Sequence, residues 1–140
     1  MRPIFLIFLN TFLCFISCSF VDNDIKKVAE KLLIGKWVLT TDNNFVMDIR
    51  SDTIVYYYDG QVNMSNPIVF VLDDALMNYY EAKSSTFDFI RDGDLQSKIL
   101  VKEFDVSSKD TIINTVVYLN KNGLDIISRN RSVSFRKQEK

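Results

Sequence analysis

The chain contains no histidine in its 140 residues. That excludes a Ser-His-Asp triad, histidine metal sites and the usual general base near neutral pH. Its two cysteines, Cys14 and Cys18, both lie near the N-terminus. The remainder has no thiol for a disulfide framework or a cysteine nucleophile, so it must be stabilised by packing alone. Without His or further Cys, zinc is left with carboxylates only, an improbable ligand set. No cofactor is implied. Net charge is small, -1 over the whole chain, and falls to about -2 if Arg2 is lost with a leader. A nucleic-acid binder would be basic overall, and the short basic tail Arg129 to Lys140 does not change that. Proline and glycine are scarce, at two and four residues. There are no repeats and no low-complexity segments.

What the chain does have begins with Met1-Arg2-Pro3, followed by an apolar run from Ile4 to Ile16 and the small residue Ser17 before Cys18. Charge, apolar segment and small residue in that order form a secretory signal. Phe15-Ile16-Ser17-Cys18 resembles the lipobox of bacterial lipoproteins. The resemblance implies cleavage after residue 17 and a diacylglycerol thioether on Cys18. It also implies an amide-linked acyl chain such as palmitate on the new N-terminus. Each buried methylene contributes about 0.8 kcal/mol, so three chains hold a protein to a membrane without spanning it. An uncleaved anchor is the alternative, but Ile4 to Phe20 is at the short limit of the roughly 20 apolar residues a span needs. A plain secretory signal cut elsewhere is a second alternative. Ser19 follows the cysteine where Asp would retain an enterobacterial lipoprotein in the inner membrane. Asp22 and Asp24 resemble the acidic export signal of surface lipoproteins in Bacteroides-like bacteria. The expectation is a signal peptide over 1–17, a lipidated Cys18 with a tether over 18–24, and one domain over 25–140. The expected location is the envelope of a Gram-negative bacterium, at the outer membrane.

The tether leads into "DIKKVAEKLLIG". Ile25, Val28, Leu32 and Leu33 recur at helical spacing opposite Lys26, Lys27, Glu30 and Lys31. Asp24 suits the N-cap and Gly35 the C-terminal stop. From Lys36 onward the period becomes two. Trp37, Leu39 and Thr41 share a face, as do Phe45, Met47 and Ile49, then Phe87 and Phe89, Val117 and Leu119, Leu124 and Ile126, Val133 and Phe135. Turn residues separate these runs: Asp42-Asn43-Asn44, Ser51-Asp52, Asp59-Gly60, Ser65-Asn66-Pro67, Asp73-Asp74, Asp92-Gly93-Asp94, Ser107 to Asp110 and Asn122-Gly123. Eight to ten short strands joined this way predict an all-β antiparallel up-and-down barrel after one short helix. Closure removes the hazard of exposed edges.

The helix, then Gly35-Lys36-Trp37, then a meander of strands, resembles the lipocalin superfamily. The closing stretch, "TVVYLNKNGLDIIS" then "SVSFRK", is similar to the end of small lipocalin-like lipoproteins of Bacteroides-type bacteria. The resemblance implies that Trp37 plugs the closed end of the barrel and that Arg136, in Phe135-Arg136-Lys137, packs on its ring. Gly35, Trp37 and Arg136 are thus the expected closure residues. The strands are shorter than a deep ligand-binding calyx needs, so the likeness carries the fold further than it carries a ligand.

No residue set specifies a reaction, and no enzymatic activity is expected. Tyr56-Tyr57-Tyr58 and Tyr79-Tyr80 form a candidate binding surface for a sugar or protein, against the plainer reading of β-propensity and cross-strand pairing. Consecutive strand residues face opposite sides, so each cluster must divide. Asp92-Gly93-Asp94 and Asp73-Asp74 lack the alternating oxygen ligands of a calcium loop and read as turns. Glu81 and Glu103, in strand-like segments, are the remaining carboxylates for glycoside hydrolysis and are assigned no catalytic role. The leading functional expectation is a lipid-anchored module binding a small apolar ligand. The alternative is a lipoprotein with a side-chain-filled barrel that binds another protein, as an inhibitor, immunity factor or envelope-complex component.

Overall fold

The computed structural model describes residues 25–139 except 74, 77–78, 82–84, 92, 94 and 97, with Glu81 described by its backbone alone. The signal segment, Cys18, the tether, the expected cap at Asp24, and Asp74, Asp92 and Asp94 lie outside the described residues. No helix among the described residues is long and apolar enough to cross a membrane.

Helix α1 spans residues 25–33, and ten strands follow. They are β1 (Gly35–Leu39), β2 (Asp42–Ile49), β3 (Thr53–Tyr58), β4 (Gln61–Leu72), β5 (Tyr80–Glu81), β6 (Thr86–Asp88), β7 (Ile99–Phe104), β8 (Thr111–Leu119), β9 (Gly123–Ser128) and β10 (Arg131–Lys137). The sheet order is β5-β6-β8-β7-β4-β3-β2-β1-β10-β9, and β8 also pairs with β9. Eight strands therefore close into an antiparallel up-and-down barrel, with β5 and β6 appended to β8. First and last strands meet, Trp37 opposite Lys137 and Leu39 opposite Phe135.

The period-two pattern puts Met47, Ile49, Ile54, Ile68, Ile99, Val101, Val116, Leu124, Ile126 and Phe135 into one buried cluster. α1 adds Ala29 and Leu33 in full, and Ile25 and Leu32 in part. Its stripe is thus the expected one turned slightly, with Ala29 at its centre.

Two turns differ from the sequence expectation. The β1–β2 turn is Thr40-Thr41, and Asp42 already pairs with Leu39. The Asp42 carboxylate accepts the Asn44 amide at 2.9 Å, a local bond that lets this polar start enter the strand. Pro67 interrupts nothing, since β4 runs through it. The Ile68 amide bonds to the Asp52 carbonyl on the β3 side, so by strand alternation the nitrogen of Pro67 faces β7. There the β4–β7 ladder begins only at Ile68 opposite Glu103, and no bond is lost.

Candidate functional site

The two ends of the barrel are built differently. At the end where β1 starts and β10 finishes, Trp37 is fully buried. Its indole N–H donates to the Leu33 carbonyl at 2.8 Å. Lys137 Nζ lies 4.0 Å from the centre of the same ring and donates to the Leu32 and Ile34 carbonyls at 2.9 and 2.7 Å. These donors satisfy carbonyls that the end of a helix leaves without intrahelical partners. Burial lowers the Lys137 pKa to about 8. Gly35 has φ 132°, and a Cβ there would lie 2.8 Å from Lys137 Nζ. Glycine is therefore required by backbone conformation, and a Cβ would also push the end of the Lys137 side chain from its place.

Arg136 does not pack on Trp37. Phe135 points inward, so its neighbour must point out, and Arg136 donates to Asn43 at 3.0 Å on the exterior. Lys137, one residue further on, returns to the inner face. The same period that identified Phe135 as core assigns the cation over the indole to Lys137.

The segment between β4 and β7 completes this closed end. Leu76, Phe87 and Phe89 are fully buried in the cluster that holds Trp37. Tyr79 packs on Phe89 with centroids 5.1 Å apart, and Tyr80 on Phe87 at 4.9 Å. The five tyrosines consequently form no common platform. Tyr79 and Tyr80 are half-buried closure residues. Tyr56 faces the interior. Tyr57 faces outward, with Lys36 over its ring at 5.5 Å and Arg50 donating to its hydroxyl at 3.3 Å. Of the five, only Tyr58 is largely exposed.

The opposite end is open and polar. Glu103 projects inward from β7 and is almost fully buried. One carboxylate oxygen accepts the Asn66 amide at 2.6 Å, and the other accepts the Tyr56 hydroxyl at 2.7 Å and the Asn114 amide at 3.1 Å. Burial and the Glu103 charge push the Tyr56 pKa well above the ordinary phenol range. Asp105 follows two residues on. Bonds from Ser107 and Ser108 hold its pKa down to about 2. Arg129 stands 3.6 Å from Asp105. It is presented by the β9–β10 turn, where Arg129 and Asn130 have φ of 47° and 63°. A cavity of about 300 Å³ opens here, lined chiefly by Phe45, Tyr56, Met64, Glu103, Ile112 and Arg129. Below it the interior is filled, and the void among Leu33, Met47, Ile54, Val101 and Leu124 measures about 10 Å³.

No protein-family model, curated protein or solved structure matches this chain.

The mouth residues had a readable signal. Asn66 and Asn114 occupy inward positions of strands whose other inward residues are apolar, such as Ile68 and Val116. A polar residue in a core register needs a buried partner, and Glu103 is that partner. Arg129 carried no such mark, because its turn lacks glycine. Among the described residues no three carboxylates converge as a metal site. Both oxygens of Glu103 are engaged, by three donors in all.

Proposed function

We propose that this chain is a non-catalytic, lipid-anchored envelope protein that recognises another protein with the rim and outer wall of a side-chain-filled, lipocalin-like barrel. One observation carries this reading. Val69, Val71, Phe104, Val106 and Ile113 are exposed along β4, β7, β8 and the adjoining loop, whereas the interior void is only about 10 Å³. An apolar surface grouped on one side of a small domain suits a partner. A groove of about 340 Å³ runs along Pro67, Val69, Val71, Lys102, Phe104 and Thr111. The anchor on Cys18 would hold the barrel at the membrane, with no nucleic acid involved.

A photo-crosslinking residue placed at Val69 in the full chain, irradiated in intact cells, tests the reading. An adduct of one defined mass is expected from Val69 and not from a position on the β10 exterior such as Ser134. No specific adduct would remove it. A second reading, a small ligand, is favoured by the mouth cavity, whose volume is at the lower limit for ligand sites. Native mass spectrometry of the purified protein would reveal such a ligand as a retained mass.

A further inference from the structure

The barrel wall is split at the mouth. β4 pairs with β3 from Gln61 to Pro67 but with β7 only from Ile68 to Leu72. On the β7 side, the proline nitrogen carries no hydrogen to extend the ladder. The next amide along the opposite lip, that of Val106, bonds instead to the side chain of Asn66 at 3.2 Å. Strand alternation from the Ile68–Asp52 bond turns the N–H and C=O of Ser65 toward this gap. Among the described residues no main-chain group meets them. Asn63 is a bulge residue, since Tyr56 pairs with Met64 and Tyr57 with Val62.

Short edges, prolines and bulges commonly serve to block unwanted strand pairing. Two observations set this edge apart. The gap opens onto the mouth cavity, where Phe45, Tyr56, Met64 and Ile112 would receive a side chain. Its lips are also apolar and exposed: Val62 on β4, with Phe104 and Val106 opposite. An edge kept only for protection would be expected to carry charge there. Backbone groups supply affinity and alternate side-chain seats supply selectivity when an extended peptide adds to a sheet.

We infer that the Asn63–Ser65 edge and the adjoining mouth bind an extended segment of the partner protein, added as a short strand, with one basic side chain entering the cavity and apolar neighbours resting on Val62, Phe104 and Val106. This rests on the reading that the chain recognises a protein. The preference for a basic side chain comes from the lining, which holds two carboxylates, Glu103 and Asp105, against one guanidinium, Arg129.

The probes are two blocked heptapeptides, Thr-Thr-Val-Lys-Val-Thr-Thr and the same sequence with Glu at the centre, so that the valines flanking the central residue face the lips when it faces the cavity. Each is added to the full chain in detergent micelles, with amide hydrogen exchange read by NMR. The lysine peptide is expected to slow exchange of the Ser65 amide about tenfold at saturation, because a bound amide exchanges only when the strand opens. It is expected to bind about tenfold more tightly than the glutamate peptide. Unchanged Ser65 exchange at millimolar peptide overturns the inference, and equal binding of the two peptides overturns the basic seat. Ser65→Pro removes an edge donor while leaving the β3–β4 pairing, and should weaken binding of the lysine peptide about tenfold, read from the peptide's own resonances. In cells, an adduct at Val69 that persists in Ser65→Pro would overturn strand addition and leave the protein-binding reading standing. No adduct in the unaltered chain would remove that reading itself.

Discussion

At the closed end, Trp37 and Lys137 spend their polar groups on the carbonyls of Leu32, Leu33 and Ile34 where α1 ends, and the Trp37 ring is buried in the core. At the mouth, Glu103 gathers the side chains of Tyr56, Asn66 and Asn114 around a buried charge. The first arrangement is stabilised mainly by apolar burial, and its hydrogen bonds satisfy groups any helix end exposes. The second depends on every donor being matched, because a buried polar group without a partner costs more than its bond contributes. One barrel thus has an end that tolerates small polar losses and an end that does not. A surface that must hold its shape without a core beneath it, as a binding rim must, is served by the second kind.

Trp37→Ala should give the largest effect. Loss of a buried indole costs about 3 to 5 kcal/mol, much of a stability of about 5 to 15 kcal/mol. Urea unfolding should show a sharply lowered midpoint or no folded baseline. Glu103→Leu comes next, at about 2 to 4 kcal/mol, because it strands three buried donors. If it proved neutral, the mouth would be an ordinary part of the core and the contrast between the ends would fail.

Lys137→Met should cost about 1 to 2 kcal/mol through its two carbonyl bonds and its place over the indole. Arg136→Ala should change stability by less than about 0.5 kcal/mol, as exposed sites do. A double-mutant cycle with Trp37→Phe should find coupling for Lys137 and none for Arg136. The smallest effects are those of pH. The native pKa of Lys137 is about 8 and its ordinary value 10.5. Between them the unfolded chain binds the extra proton, so this group's contribution to stability rises with pH across that window. Asp105 has the opposite profile. Its contribution is present above its ordinary pKa of 3.8 and is lost as pH falls through about 2. Melting curves should lose the alkaline limb in Lys137→Met and the acid limb in Asp105→Asn.

The barrel itself was legible in the sequence, because period-two burial and hairpin residues are local signals. Asp59-Gly60 is an example, both residues having positive φ as a tight hairpin turn requires. The closed end was half legible. Gly35 and Trp37 stood out, but the motif resemblance selected Arg136 although the alternation around Phe135 selects Lys137. The mouth was the least legible. Asn66 and Asn114 were marked by their place in an apolar register, but Glu103 becomes their partner only when β4, β7 and β8 are neighbours. Arg129 was hidden by a turn in which Arg and Asn take backbone angles that composition assigns to glycine.

The pairing of β1 with β10 also governs the order in which this molecule can be completed. Trp37 and Lys137 are partners across almost the whole described chain, so the wall cannot shut until the final strand has emerged. A chain emerging N-terminus first therefore carries β1 as an open edge throughout synthesis, and β9 becomes a second one until β10 arrives. Such slow, long-range closure exposes edges to other chains. Loss of residues 135–137 would accordingly lower yield, turning a closed wall into a sheet with two free ends.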